Sequence, residues 1–285
     1  MIKAGIIGTG NIGTDLLLKL RKTDFVVPVI FVGRRMESNG IKLAQELNIA
    51  VSDKGIQYFI DNPKCCDVVY DCTSANDAKE HAKVFSEQGI KVIDLTPAKV
   101  GDLCVPNINP KIIQNRDNVN MITCGGQAST PLLNVISKHC TDLDYIEVVS
   151  QIASDSAGMA TRLNIDNYIH TTERAIKEFT GCKECKVILN LNPAIPQVDM
   201  QTTMFIKASN MDFTPLVKDI YETIEKLQTY IPYYELVMPP RWLRDDILVL
   251  SIKVKGSGDY LPEYAGNLDI INCAAIEITK HLNDE

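Results

Sequence analysis

Cys124 sits where a sulfur could become reactive. It follows an apolar stretch ending in Thr123, precedes Gly125, Gly126 and Gln127, and opens a run with Leu132, Val135 and Ile136 at helical spacing. A cysteine at a helix N-terminus feels the positive end of the backbone dipole, which lowers its pKa and raises its thiolate fraction. The expectation is a nucleophile. Gly125 and Gly126 would leave space for a substrate and offer backbone N–H groups as an oxyanion hole, with the Gln127 amide as an adjunct. The plain alternative is a small apolar residue at a strand end.

A second glycine pattern stands at the start of the chain: Gly8-Thr9-Gly10-Asn11-Ile12-Gly13, between an apolar strand-like run and a helical one. In that context the first glycine permits a tight turn, the second lets backbone approach a pyrophosphate, and the third allows close helix–strand packing. A nicotinamide dinucleotide is the expected ligand. NAD calls for a carboxylate at the end of the second strand; this chain has Gly33-Arg34-Arg35, and guanidinium suits the 2′-phosphate of NADP, so NAD and NADP both stay open. A third segment, Ser154-Asp155-Ser156-Ala157-Gly158-Met159-Ala160-Thr161-Arg162, joins a strand pattern to a helix and could hold a nicotinamide or a phosphate; it also reads as a loop with caps. Cys182 and Cys185 form a CxxC with no second pair and no nearby histidine, so no metal site is expected. His81, His139, His170 and His281 lie in no catalytic motif.

These residues need a scaffold. In the first half, strand-like runs at Lys3–Ile7, Val26–Val32, Asp67–Asp71, Lys91–Asp94 and Asn120–Thr123 alternate with helical spacing at Asn11–Lys22, Glu37–Leu47 and Ala75–Gln88. That alternation implies βαβ units, a parallel sheet, and ligands at the carboxyl ends of its strands. The second half has longer strands at Tyr145–Ala153, Lys186–Leu191, Met200–Ala208 and Asp246–Lys255, with helices at Ile165–Phe179 and Phe213–Leu227, which points to a mostly antiparallel sheet. A last helix over Asn267–Leu282 has Asn267 or Asp269 available as a cap. The expected fold is α/β. An N-terminal doubly wound Rossmann domain (1–123 plus 267–285) carries an inserted α+β domain for catalysis and dimerisation (124–266), and the final helix returns to the first domain.

Composition narrows the function. The chain has 285 residues, 45% hydrophobic and 23% charged, ordinary for a globular protein. A net charge of -7 argues against a nucleic-acid partner. No apolar run approaches the ~18 residues of a membrane span, and the first residues do not read as a secretion signal. Nine cysteines, an odd number, fit reduced thiols and a cytoplasmic location.

Taken together, the motifs resemble the acylating acetaldehyde dehydrogenases, CoA-dependent enzymes that partner 4-hydroxy-2-oxovalerate aldolases. The resemblance runs nearly end to end and is carried by Gly8–Asp15, by Thr123–Gln127, by Ser156–Gly158 with Thr161, Arg162 and Asn164–Asp166, by Asn192-Pro193-Ala194, and by Tyr260–Pro262 with Tyr264–Ile270. It implies that Cys124 carries the acyl group as a thioester and that Thr9–Ile12, Ser154–Arg162 and Asn267 contact the dinucleotide. It also implies coenzyme A as cosubstrate, a short aldehyde or acyl-CoA as substrate, a homodimer, and an aldolase partner. Three positions depart from the pattern. Arg34-Arg35 replace an acid; Gln201-Thr202 replace an Arg-Asp pair, leaving Asp199 as the substitute carboxylate; and the stretch between Tyr234 and Asp246 is shorter. Two rival readings remain: a cysteine-dependent semialdehyde or acyl-phosphate reductase, and a non-catalytic dinucleotide-binding protein.

Overall fold

The computed structural model describes residues 1–283. The chain divides into two compact units: one of Met1–Met121, Asp259–Leu261 and the chain from Ile271, the other of Ile122–Gly258 and Pro262–Ile270.

The first unit is built from β1 (Ile2–Ile7), α1 (Asn11–Leu20), β2 (Val26–Val32), α2 (Asn39–Glu46), β3 (Val51–Ser52), α3 (Ile56–Asp61), β4 (Val68–Asp71), α4 (Ala75–Gln88), β5 (Lys91–Asp94), β6 (Asp102–Leu103), α5 (Ile112–Asn115) and β7 (Asn118–Asn120). Among the described residues, seven strands pair in the order β3-β2-β1-β4-β5-β7-β6, all parallel. Strand order reverses between β1 and β4, the crevice where doubly wound sheets take ligands. The strands are apolar in continuous runs because both sheet faces are covered: Val68, Val69 and Tyr70 on β4 are all fully buried. Phe59 and Phe85 meet edge to face, with ring centroids 5.2 Å apart, in a cluster with Ile7, Ile30, Val69 and Val92.

The second unit contains α6 (Cys124–Ser137), β8 (Asp142–Ala153), α7 (Met159–Leu163), α8 (Ile165–Thr180), β9 (Glu184–Asn192), β10 (Met200–Ser209), α9 (Phe213–Gln228), β11 (Tyr234–Arg244) and β12 (Ile247–Val254). Its sheet runs β11-β12-β10-β8-β9, antiparallel at every pair except β8 with β9. Along β10, Met200, Thr202, Met204, Ile206 and Ala208 are buried and alternate with more exposed neighbours, the period-2 pattern of a sheet covered on one side. Leu132, Leu133 and Ile136 of α6, Ala175 and Ile176 of α8, and Leu216, Ile220 and Leu227 of α9 supply buried apolar faces.

The last helix, α10 (Gly266–Lys280), begins in the second unit and ends in the first. Within the first unit it is tied to α1. The Asn272 side-chain amide donates to the Ile12 carbonyl at 3.1 Å and to the Asp15 carboxylate at 2.7 Å. Lys19 pairs with Asp15 at 3.6 Å and also with Asp259, and Lys22 pairs with Asp259 as well. The Tyr70 and Thr279 hydroxyls are 2.6 Å apart.

Two local expectations need correction. The strand expected at Asn120–Thr123 is β7, Asn118–Asn120, because Ile122 takes the left-handed region at φ 64 and ends the extended chain. The cap expected from Asn267 or Asp269 is also not one: α10 already starts at Gly266, and the Asp269 carboxylate accepts hydrogen bonds from the Ser257 N–H at 2.9 Å and the Ser257 hydroxyl at 3.0 Å.

Candidate active site

The start of α6 is set by the residues before it. The left-handed backbone at Ile122 turns the chain, and Thr123 then caps the helix by accepting the Gly126 N–H at 2.9 Å. A β-branched residue at positive φ costs on the order of 1–3 kcal/mol, so the surrounding structure must hold this turn in place. Cys124 is the first residue of the helix and is half-buried.

Its sulfur lies 3.6 Å from the Tyr168 hydroxyl, which also accepts the Gly125 N–H at 3.0 Å. Tyr168 is 5% exposed and belongs to the inward face of α8 with Thr172 and Ala175. The Thr172 hydroxyl donates to the Tyr168 carbonyl at 2.7 Å, and the Thr123 and Thr172 hydroxyls are 2.7 Å apart. Beside Gly125, the Ser150 hydroxyl is 3.0 Å from that of Thr202.

This geometry corrects three expectations. The Gly125 and Gly126 amides are not free oxyanion donors, since Tyr168 and Thr123 hold them. Nor do the glycines leave a void: a Cβ on Gly125 would come 2.2 Å from the Tyr168 hydroxyl oxygen, and one on Gly126 would come 2.4 Å from Ile122 Cγ2. Lastly, the helix start does not bring the Cys124 pKa below the usual thiol range. Burial pushes it up, against the opposing pull of the Tyr168 hydroxyl and the Gly125 and Cys124 N–H groups. Gln127 is buried, and its backbone N–H bonds the Thr123 carbonyl at 2.9 Å. Asp199 lies ahead of β10 and out of phase with Thr202, and no hydrogen bond or ion pair joins it to Cys124 among the described residues. Thr202 instead meets Ser150.

Sequence reasoning did not single out Tyr168. The signal was its hydroxyl on the buried helical stripe that also carries Ala175 and Ile176, because a buried phenol needs a hydrogen-bond partner. The histidines pair elsewhere: His81 Nδ1 with Asp71 at 2.7 Å, His139 Nε2 with Asp219 at 2.8 Å, and His170 Nδ1 with Glu173 at 3.4 Å.

In the first unit, Gly8 has φ 109, and a Cβ there would lie 2.5 Å from the Cys72 carbonyl. A Cβ on Gly13 would lie 1.9 Å from the Gly8 oxygen, so α1 starts hard against β1. Nothing approaches the Cβ position of Gly10 within 4 Å. The N-terminus of α1, at Asn11 and Ile12, has no side-chain cap and no acid in its first turn. Thr9 Oγ1 is 3.1 Å from Ser38 Oγ, which caps α2. Arg34 and Arg35 are exposed beyond β2; Arg34 Nη1 comes 3.7 Å from Asp77 Oδ2, a loose surface contact.

The Ser154–Arg162 segment of the second unit is closed by its own arginine. Arg162 donates to the Ala157 carbonyl at 3.1 Å and, through Nη2, to the carbonyl and hydroxyl of Ser154 at 2.7 and 2.9 Å. The Ser156 hydroxyl bonds the Ala153 carbonyl at 2.8 Å, and the Asp155 carboxylate accepts from Gln197 at 2.8 Å. Gly158 precedes α7; Met159 is exposed, Thr161 half-buried, and the side chain of Ala160 lies outside the described set. Asn267 is 7% exposed, and its Oδ1 has no hydrogen-bond partner among the described residues. No group of three or more metal-binding side chains occurs among the described residues, and no helix there is long and apolar enough to cross a membrane.

Comparison with known proteins shows the family and the fold. Residues 3–116 match the NAD-binding domain of semialdehyde dehydrogenases, and residues 124–262 match the dimerisation domain of prokaryotic acetaldehyde dehydrogenase. The acetaldehyde dehydrogenase of Pectobacterium atrosepticum is 50% identical over 284 residues, covering 99% of this chain and 96% of that protein. This chain belongs to the acetaldehyde dehydrogenase family. Another acetaldehyde dehydrogenase, from Spirochaeta aurantia, is also 50% identical, over 98% of this chain and 94% of its own. The acetaldehyde dehydrogenase family comprises oxidoreductases that act on an aldehyde group, and the first domain of this member is of the nicotinamide-dinucleotide-binding kind. The match to a dimerisation domain supports a homodimer. Among solved structures, aspartate semialdehyde dehydrogenase II of Vibrio cholerae has a TM-score of 0.66 at 15% identity, covering 99% of this chain and 98% of that one. Aspartate semialdehyde dehydrogenase of Candida albicans, solved with NADP, has a TM-score of 0.62 at 16% identity, covering 99% of each chain. At those identities the likeness concerns the fold.

Proposed function

We propose that the protein is a CoA-acylating acetaldehyde dehydrogenase that converts acetaldehyde, or a similar short aldehyde, to the acyl-CoA through a thioester on Cys124. The observation carrying this reading is the placement of Cys124 at the first position of α6, its sulfur against a hydroxyl and two backbone N–H groups, in a chain half identical to acetaldehyde dehydrogenases. The rival acyl-phosphate chemistry calls for a histidine beside the cysteine; here the hydrogen-bond partner is Tyr168.

A nicotinamide dinucleotide fits the residues present. The open space over Gly10 and the uncapped start of α1 are features such a ligand would use. Gly8–Gly13 would hold the pyrophosphate. The exposed Arg34 and Arg35, with no carboxylate at the end of β2, suit a 2′-phosphate, so NADP is accepted beside NAD. In the Ser154–Arg162 segment, the guanidinium of Arg162 keeps the loop shaped rather than reaching for an anion.

The Cys124 sulfur attacks the aldehyde carbon, and the carbonyl oxygen takes up the proton or negative charge of the adduct. Splitting the reaction at a covalent sulfur adduct replaces one hard step with two easier ones. The chemistry a bound dinucleotide supplies is hydride acceptance, which leaves the acyl group as a thioester on the same sulfur. The thiol of coenzyme A then gives its proton to solvent and attacks the acyl carbon as thiolate, and the bond from that carbon to the Cys124 sulfur breaks; Cys124 departs as thiolate, which its neighbouring O–H and N–H donors stabilise. The protein works as a homodimer, passes aldehyde with a 4-hydroxy-2-oxovalerate aldolase partner, and resides in the cytoplasm, a setting that suits nine cysteines outside any disulfide.

The test is Cys124→Ala, followed by CoA-dependent NAD(P)H formation from acetaldehyde. The expected loss is about a thousandfold or more, the scale of removing a covalent nucleophile. Intact mass after incubation with acetyl-CoA should show an acetyl group on the unmodified chain and none on the variant. Near-normal turnover in the variant would remove Cys124 from this role.

A further inference from the structure

We propose that the phenolic hydroxyl of Tyr168 is the hydrogen-bond donor that holds the Cys124 sulfur as a thiolate, both before attack and when the sulfur departs. The inference deepens the reading of Cys124 as nucleophile and rests on it.

Hydrogen-bond accounting carries the argument. The Tyr168 oxygen is 3.0 Å from the Gly125 nitrogen and 3.6 Å from Cys124 Sγ. The amide can only donate, so it takes one lone pair of the phenol. The phenol has a single hydrogen, and an ionised sulfur can only accept; in the thiolate state the O–H therefore points at Sγ. The Thr123 hydroxyl does not compete for that sulfur. The one hydrogen of Thr172 goes to the Tyr168 carbonyl; the Thr123 hydroxyl serves the Thr172 and Tyr168 oxygens as donor, and itself accepts the Gly126 N–H. The same Thr172 bond fixes the backbone of Tyr168.

Tyr168 acts as a donor and not as a base. Burial and the adjacent Cys124 thiolate both push its ionisation well above the ordinary phenol range, so the proton stays on oxygen. The Gly125 amide, at the positive end of α6, polarises the phenol and strengthens it as a donor. Gly125 has to be glycine for this contact to exist, since its Cβ position is 2.2 Å from the phenol oxygen. Thr202 and Ser150 bond each other instead of the sulfur, which leaves the phenol as the side-chain donor to Cys124 among the described residues.

The experiment is the rate of Cys124 alkylation by iodoacetamide against pH, read by peptide mass without substrates, in the unmodified protein and in Tyr168→Phe. Losing a hydrogen bond to a charged group should move the midpoint upward by about one to two pH units, which is about 10- to 100-fold slower alkylation at pH 7. Aldehyde oxidation by Tyr168→Phe should fall by a similar factor at pH 7 and recover as pH rises, because the thiolate then forms unaided. A variant that folds but keeps the original alkylation profile, or shows an activity deficit equal at every pH, overturns the proposal. If Tyr168→Phe does not fold, biosynthetic 3-fluorotyrosine can be followed by 19F NMR. A resonance should move with the Cys124 midpoint in the unmodified sequence and stay flat in Cys124→Ala; no such resonance overturns the proposal. Alkylation reads the sulfur without turnover, so failure of the nucleophile reading, seen as an active Cys124→Ala, is distinguishable from failure here.

Discussion

Two glycine motifs look alike as sequence and differ as structure. In Gly8-x-Gly10-x-x-Gly13 the outer glycines are crowded by backbone and the middle one faces open space. In Gly125-Gly126 both positions are filled, one by the Tyr168 hydroxyl and the other by Ile122. The first motif keeps a surface clear for something to arrive. The second lets the protein's own side chains close on a helix start. A glycine therefore says only that a Cβ is unwelcome; whether a ligand or the fold excludes it depends on what stands opposite.

The comparison can be broken from either side. The largest effect is expected from Gly8→Ala, which places a Cβ 2.5 Å from Cys72 backbone at φ 109. A loss of about 3 kcal/mol or more is expected from combined overlap and left-handed strain, seen as a lowered denaturant midpoint together with lost dinucleotide binding. Gly125→Ala must push the Tyr168 hydroxyl aside. It should cost about 1–3 kcal/mol in thermal unfolding and slow Cys124 alkylation at pH 7 about tenfold. Gly10→Ala is the sharpest contrast, because nothing lies near its Cβ. Stability should stay within about 0.5 kcal/mol while dinucleotide affinity, by fluorescence titration, weakens about tenfold. If Gly10→Ala leaves affinity unchanged, the clear surface is not where the ligand rests. The smallest effect is expected from replacing Arg34 and Arg35 together with serine, which should lower the NADP-to-NAD preference about fivefold in kcat/KM, the scale of a solvent-exposed charge contact.

Much of the scaffold was legible because strong periodicity survived tertiary context. β2, β5 and α4 occupy the ranges their residues suggested, and the parallel-then-antiparallel division follows from continuous against alternating apolar runs. β3 and β6, two residues each, are too short for any period to show. β11 escaped notice because Pro239 and Pro240 lie inside it; an edge strand with shifted register tolerates them. At the site, the sequence pointed to Cys124 and its glycines by their order along the chain. It did not reveal Tyr168, whose bond to Gly125 spans 43 residues, nor that the same bond would consume the amide expected to stay free. Ile122 misled for a related reason: a β-branched apolar residue reads as strand until its neighbours force it to positive φ.

The tie from Asn272 to Ile12 and Asp15 has a consequence for synthesis. On the ribosome, the glycine loop near residue 10 emerges early, yet its brace comes from a helix 260 residues downstream. The segment that becomes the second unit must pass through the exit tunnel in between. A nascent chain stalled before Asn272 would carry a formed βα turn without its fastening, so completion of the first unit waits on synthesis of α10.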